Sequence, residues 1–150
     1  MLMTLADMDL PIRASDIAHP QLARLFQYWD DRRLDRPMPS RADIDPIDLK
    51  SILPHLFLVD VTHDPLRLQY RLVGTELTDR LGCELRGKYV DEMPDEFRKY
   101  AAADYEAVIA LGKPQYTDAT AFLPRYKRLM LPLSADGKTV NMILGGVFRV

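Results

Sequence analysis

Two strand-like runs stand five residues apart near the middle of the chain, and three more close it after a block of helices. HLFLVDV (55 to 61) is apolar on both faces, as expected of a strand covered on two sides. RLQYRLV (67 to 73) alternates, which places Leu68, Tyr70 and Leu72 on one face. The HDP between them, at 63 to 65, is turn chemistry, so the pair reads as a hairpin. The closing runs are QYTDATAF, YKRLMLPL and TVNMILGGVFRV, with ADGK (135 to 138) as a tight turn between the last two. Gly145 and Gly146 inside the last run mark a bulge or a close approach to a helix. Strands grouped on either side of a helical block specify an α+β fold with one five-stranded antiparallel sheet.

The helices follow from apolar spacing. HPQLARLFQYWDDRR places Leu22, Leu25, Phe26 and Trp29 on one stripe of a helix over roughly 20 to 33, with Pro20 in the first turn. That stripe must be buried against something. PIDLKSIL reads as a short helix from Pro46, and GTELTDRLG as another, with Thr75 as its cap and Gly82 as its stop. A longer helix from Asp95 to Leu111 aligns Phe97, Ala101, Tyr105, Val108 and Ile109, and Gly112 and Pro114 end it. The central helices take one face of the sheet and leave the other to the first helix. Residues 1–15 read as a flexible terminus and 16–150 as one domain, with 16–54 the first helix and a strap and 55–150 the core.

The strap, RPMPSRADIDP (36 to 46), holds three prolines that fix φ, so it is semi-rigid and no loose linker. Met38 and Ile44 are its core plugs, and Ser40, Arg41, Asp43 and Asp45 its polar clasp. Arg41 is expected to bond Asp43, Asp45 or strand carbonyls; a partner-facing or ligand-facing Arg41 is the alternative.

At 47% apolar, the 150 residues can bury a core and do not resemble a disordered chain. The net charge of −2, with both signs interspersed, gives no footprint for nucleic acid or an anionic membrane. No apolar run approaches a spanning helix, and the N-terminus lacks the basic region of a signal peptide, so the expected location is cytoplasmic. The single Cys83 forms no intramolecular disulfide. His19, His55 and His63 make no metal-ligand spacing; His55 reads as a satisfied structural histidine and His63 as a solvated turn residue. No nucleophile elbow or phosphate-binding loop is present, and no catalytic pair is legible.

YRLVGTELTDRLGCELRGKYVDEM (70 to 93) resembles the signature of PAS domains, in which a second strand leads into a short helix, a Leu-Gly pair and a Gly-x-x-hydrophobic turn. YWDDRRLDRPMPSRADIDPIDLKSILPHLFLVDV is similar to a family of short bacterial PAS-like proteins, in which a Trp-bearing helix precedes a P-S-R-x-D-x-P strap. The resemblance implies a PAS-like sheet with central helices on one face and an N-terminal amphipathic helix. It argues against haem, because residues 95 to 111 lack the axial His such domains commonly use, and against flavin, because LGCELRG lacks the residues around a photoreactive Cys. It implies a pocket between sheet and helices, with Tyr70, Leu72, Tyr89, Phe97, Ala101, Tyr105, Met130 and Met142 as candidate lining for a small, mostly apolar or aromatic ligand.

The function implied is a sensory or regulatory module with no attached effector domain, binding a small molecule, a protein partner, or both. The alternative is a ligand-free interaction module joined to a partner or a second copy through Leu22, Leu25, Phe26 and Trp29. A small enzyme is the third reading, without residues to carry it.

Overall fold

The protein is described here by a computed structural model covering residues 12–93, 95–119 and 125–149, with side chains 95–100 outside the description. Helix α1 (Pro20–Arg33) comes first, and a run of 3-10 turns (Pro46–His55) leads into strands β1 (Leu56–Thr62) and β2 (Arg67–Val73). Helices α2 (Thr75–Leu81) and α3 (Asp95–Leu111) follow, then β3 (Gln115–Ala119), β4 (Tyr126–Leu133) and β5 (Met142–Arg149). The strands form one antiparallel sheet in the order β2-β1-β5-β4-β3. This is the α+β arrangement expected. Gly74, not Thr75, occupies the N-cap of α2, and Gly82 closes it in the left-handed conformation. No helix among the described residues is long and apolar enough to cross a membrane.

Two adjacent glycines of β5 define the faces of the sheet. A Cβ on Gly146 would stand 2.9 and 3.0 Å from Leu22 and Leu25, so that face belongs to α1. A Cβ on Gly145 would enter the Phe57 ring at 1.9 Å, on the opposite face. Gly146 therefore fulfils the expected close approach to a helix. Leu22, Leu25, Phe26 and Trp29 are all buried on the chain's own sheet. Trp29 also donates its indole N–H to the Pro132 carbonyl at 2.8 Å, inside the core.

The hairpin departs from its predicted alternation. Leu58 pairs with Leu72 but Val59 pairs with Tyr70, so Arg71 is an extra residue in β2. The bulge turns Tyr70 and Leu68 to the face of Val59 and Val61 and leaves Leu72 on the other, 40% exposed. Arg71 bonds both carboxylate oxygens of Asp60, at 3.0 and 2.8 Å.

In the strap, Met38, Pro39 and Ile44 are buried. The Asp43 carboxylate accepts from the Ser40 backbone N–H (2.8 Å) and hydroxyl (2.9 Å) and pairs with Arg36 at 2.9 Å. Those bonds, the backbone one foremost, hold its carboxyl below the usual range. Arg41 donates to the Ile44 carbonyl at 2.8 Å, within the strap itself, where an aspartate or a strand carbonyl was expected. Asp45 caps the following turns by accepting from the Ile47 N–H, and its own N–H donates to the Tyr28 hydroxyl of α1. Ahead of α1, Ile12 and Ala14 pack on the core, so packing starts before residue 16; residues 1–11 lie outside the described residues.

The histidines also differ from expectation. His63 bonds the Val140 carbonyl at 2.9 Å, so it is not simply solvated. His55 stacks on Phe148 at 4.1 Å, while its buried Nδ1 has no hydrogen-bond partner. The other face of Phe148 takes His19 at 4.3 Å, and His19 Nδ1 accepts the Leu22 N–H to cap α1. Only neutral imidazole can accept there. Burial first, then Lys127 and His55, push the His19 pKa down.

Two outcomes follow for stability. Trp29→Ala removes a buried indole and its hydrogen bond, and is expected to cost about 3–5 kcal/mol of stability, read as a lower urea unfolding midpoint. An unchanged midpoint would show that α1 is not held this way. For His19, the folded pKa lies below the unfolded value of 6.5, so both states are neutral above that pH. As pH falls through 6.5 the unfolded chain takes up the proton first, and stability declines until the folded pKa is reached. His19→Asn keeps a capping side chain without titrating and should flatten the loss of Tm between pH 7 and 5; an unaltered slope would remove His19 from the account.

Candidate functional site

A cavity of about 320 Å³ lies on the Gly145 side of the sheet. The sheet contributes Phe57, Tyr70, Val73, Tyr126, Arg128 and Val147; α2 contributes Leu77, Arg80 and Leu81, α3 contributes Ala101 and Tyr105, and the connection between the helices Leu85 and Met93. The register explains the floor. Arg128 pairs with Val147, Met130 with Gly145 and Gly145 with Phe57, so these residues share a face. Gly145, with no side chain, leaves room for the Phe57 ring, which meets Tyr70 and Tyr105 edge-on at 6.4 Å each.

Most of the wall is apolar, and its polar groups are few. The Tyr70 and Tyr105 hydroxyls lie 3.1 Å apart, and Tyr105 is 2% exposed. Burial is the main reason both phenols titrate above their ordinary value, and the Arg128 guanidinium opposes it in each. Two neutral phenols that share one hydrogen bond keep one O–H proton to donate elsewhere. Arg128 is itself 7% exposed. One of its terminal nitrogens pairs closely with the Asp104 carboxylate of α3, which also accepts from the Thr117 hydroxyl of β3 at 3.1 Å. Its Nε is buried and has no hydrogen-bond partner. Arg80 is half-buried; desolvation, then repulsion from Arg149, lower its pKa against the pull of Glu76. No acidic side chain lines this cavity among the described residues.

Of the predicted lining residues, Tyr70, Ala101 and Tyr105 face the cavity. Met130 is on the same side of the sheet but is packed in the core, 1% exposed and off the cavity wall. Met142 pairs with Leu133 and Asp60, in the same phase as Gly146, and so lies on the α1 face. Leu72 is turned away by the bulge. Tyr89 bridges to Gln69 outside the cavity, with the Arg67 guanidinium 3.5 Å over its ring. Phe97 belongs to α3, but its side chain lies outside the described residues. Arg128 and Arg80 were missed. The signal for Arg128 was available, since it stands two residues before Met130 on the same strand, and period 2 turns both to one face.

Two forms of one solved domain are similar to this chain. The PAS domain of histidine kinase ThkA, in a doubly substituted selenomethionine form, is 10% identical with a TM-score of 0.49, covering 63% of this chain and 99% of that domain. Its unsubstituted form is 11% identical with a TM-score of 0.47, covering 62% and 97%. No curated protein matches the chain at a significant level. The family model described as PAS domain matches residues 17–148, and the chain belongs to that family.

Proposed function

We propose that the chain is a sensory or regulatory PAS module that takes a small molecule into the cavity and answers by a change in how α3 packs on the sheet. The observation that carries this is the cavity itself, a mostly apolar space of metabolite size between the sheet and the central helices. PAS domains, the family to which the chain belongs, are generally sensory or regulatory and not catalytic.

Arg128 supplies a route from occupancy to response. It lines the cavity and also holds Asp104 of α3, which Thr117 of β3 holds in turn. A ligand that binds one arrangement of this tie more tightly than another shifts the population between them. The competing interaction module would use Leu22, Leu25, Phe26 and Trp29, and those side chains already cover the sheet, so α1 would have to leave it first.

Ala101→Phe places a ring in the cavity. Native mass spectrometry of the wild type, mixed with a cell-extract fraction below about 1 kDa, should show a one-to-one adduct that the variant lacks while its Tm holds. A wild type that takes up nothing, or a variant that takes up as much, removes the ligand from the proposal. Asp104→Ala leaves the Arg128 charge without its counter-ion, and a loss of about 1–3 kcal/mol is expected, at the lower part of the range for buried pairs because Asp104 is 30% exposed. Hydrogen exchange should quicken in α3; equal exchange in the two proteins would separate the tie from the packing of that helix.

A further inference from the structure

The polar groups of the cavity converge, and their chemistry is one-sided. Arg128 and Arg80 are the charged residues of its wall among the described residues, and both are cations. Arg128 keeps a buried Nε–H that no acceptor takes, whereas buried donors of this kind are ordinarily paired. The Tyr70–Tyr105 pair holds one O–H proton that their mutual bond does not use, close enough to Arg128 for its charge to act on both phenols. Asp104 pairs with one terminal nitrogen of the guanidinium from outside the cavity wall, and no protein group takes the Nε–H. Phe57, Leu77, Leu81, Leu85 and Val147 make the remaining surface apolar.

We infer that the cavity selects a small monocarboxylate with an apolar or aromatic body, its carboxylate received by the Arg128 Nε–H and a tyrosine hydroxyl. The inference rests on the proposed ligand-binding role and adds the class of ligand. Charge-assisted bonds of this kind are about twice as strong as neutral ones and are directional, so they discriminate an acid from its uncharged analogue. Arg80, half-buried at the same cavity, adds a second positive charge that favours an anion over a neutral or cationic ligand. A cavity of about 320 Å³ limits the body to roughly a phenyl ring or a six-carbon chain beside the carboxylate.

The test is a matched series titrated by calorimetry: phenylacetate and hexanoate, each against its primary amide. The acids are expected to bind at least tenfold tighter than the amides. Arg128→Met should bring acid and amide within about twofold while amide affinity holds. Arg128→Lys keeps a charge for Asp104 but has no Nε–H, and should lose most of the preference in a protein that still folds. The acid-to-amide ratio of the wild type decides the matter even where a variant fails to fold. Equal binding of acid and amide would overturn the carboxylate assignment and leave the cavity a ligand site. No binding of either pair, alongside an adduct from the extract, would also overturn it. No binding and no adduct would end both.

Discussion

Gly145 and Gly146, side by side on the middle strand, set the clearance on both faces of the sheet. On one face the missing side chain lets α1 come down onto β5 through Leu22 and Leu25; on the other it admits the ring of Phe57. A methyl on Gly145 would overlap the Phe57 ring outright, and one on Gly146 would press on the ends of the Leu22 and Leu25 side chains. The α1 layer, with Trp29 reaching the Pro132 carbonyl, depends on the first clearance. The aromatic cluster of Phe57, Tyr70 and Tyr105, which forms one wall of the cavity, depends on the second. Two residues without side chains thus fix where both layers of side chains stand.

Much of this architecture was legible because strong periodicity leaves little freedom. The bounds of α1, β2, α3 and β4 follow directly from runs of apolar residues and their stops. The phases were harder. β5 is buried on both faces, so nothing in its composition says which of Met142 and Ile143 looks toward α1. Leu72 was placed by simple alternation, and one extra residue, Arg71, reversed it; a bulge shifts register without a mark in the hydrophobic pattern. His19 was weighed only for metal-ligand spacing, although its ring caps α1 and stacks on Phe148.

The site was legible in its apolar part and obscure in its polar part. Tyr70, Ala101 and Tyr105 were found as members of buried stripes, which is a statement about packing. Arg128 was overlooked because an arginine within a strand is ordinarily a surface residue. Its burial is made tolerable by Asp104, twenty-four positions away on α3, a pairing that no local pattern discloses. Groups that carry specificity in a core are held by long-range partners, and this makes them hard to see in a sequence.

The strap has a consequence for how copies of the chain meet. β3 pairs with β4 only as far as Met130, so the next part of β4 would present a bare sheet edge. Pro132 has no N–H to offer there, its carbonyl is taken by Trp29, and the Ser134 N–H donates to the Pro39 carbonyl of the strap at 2.9 Å. The segment that looked like a connector closes the hydrogen-bonding positions along which another strand could add. At Pro132 and Ser134 the free side of β4 is thus capped against an added strand, and the prolines of the strap keep it from serving as a strand itself.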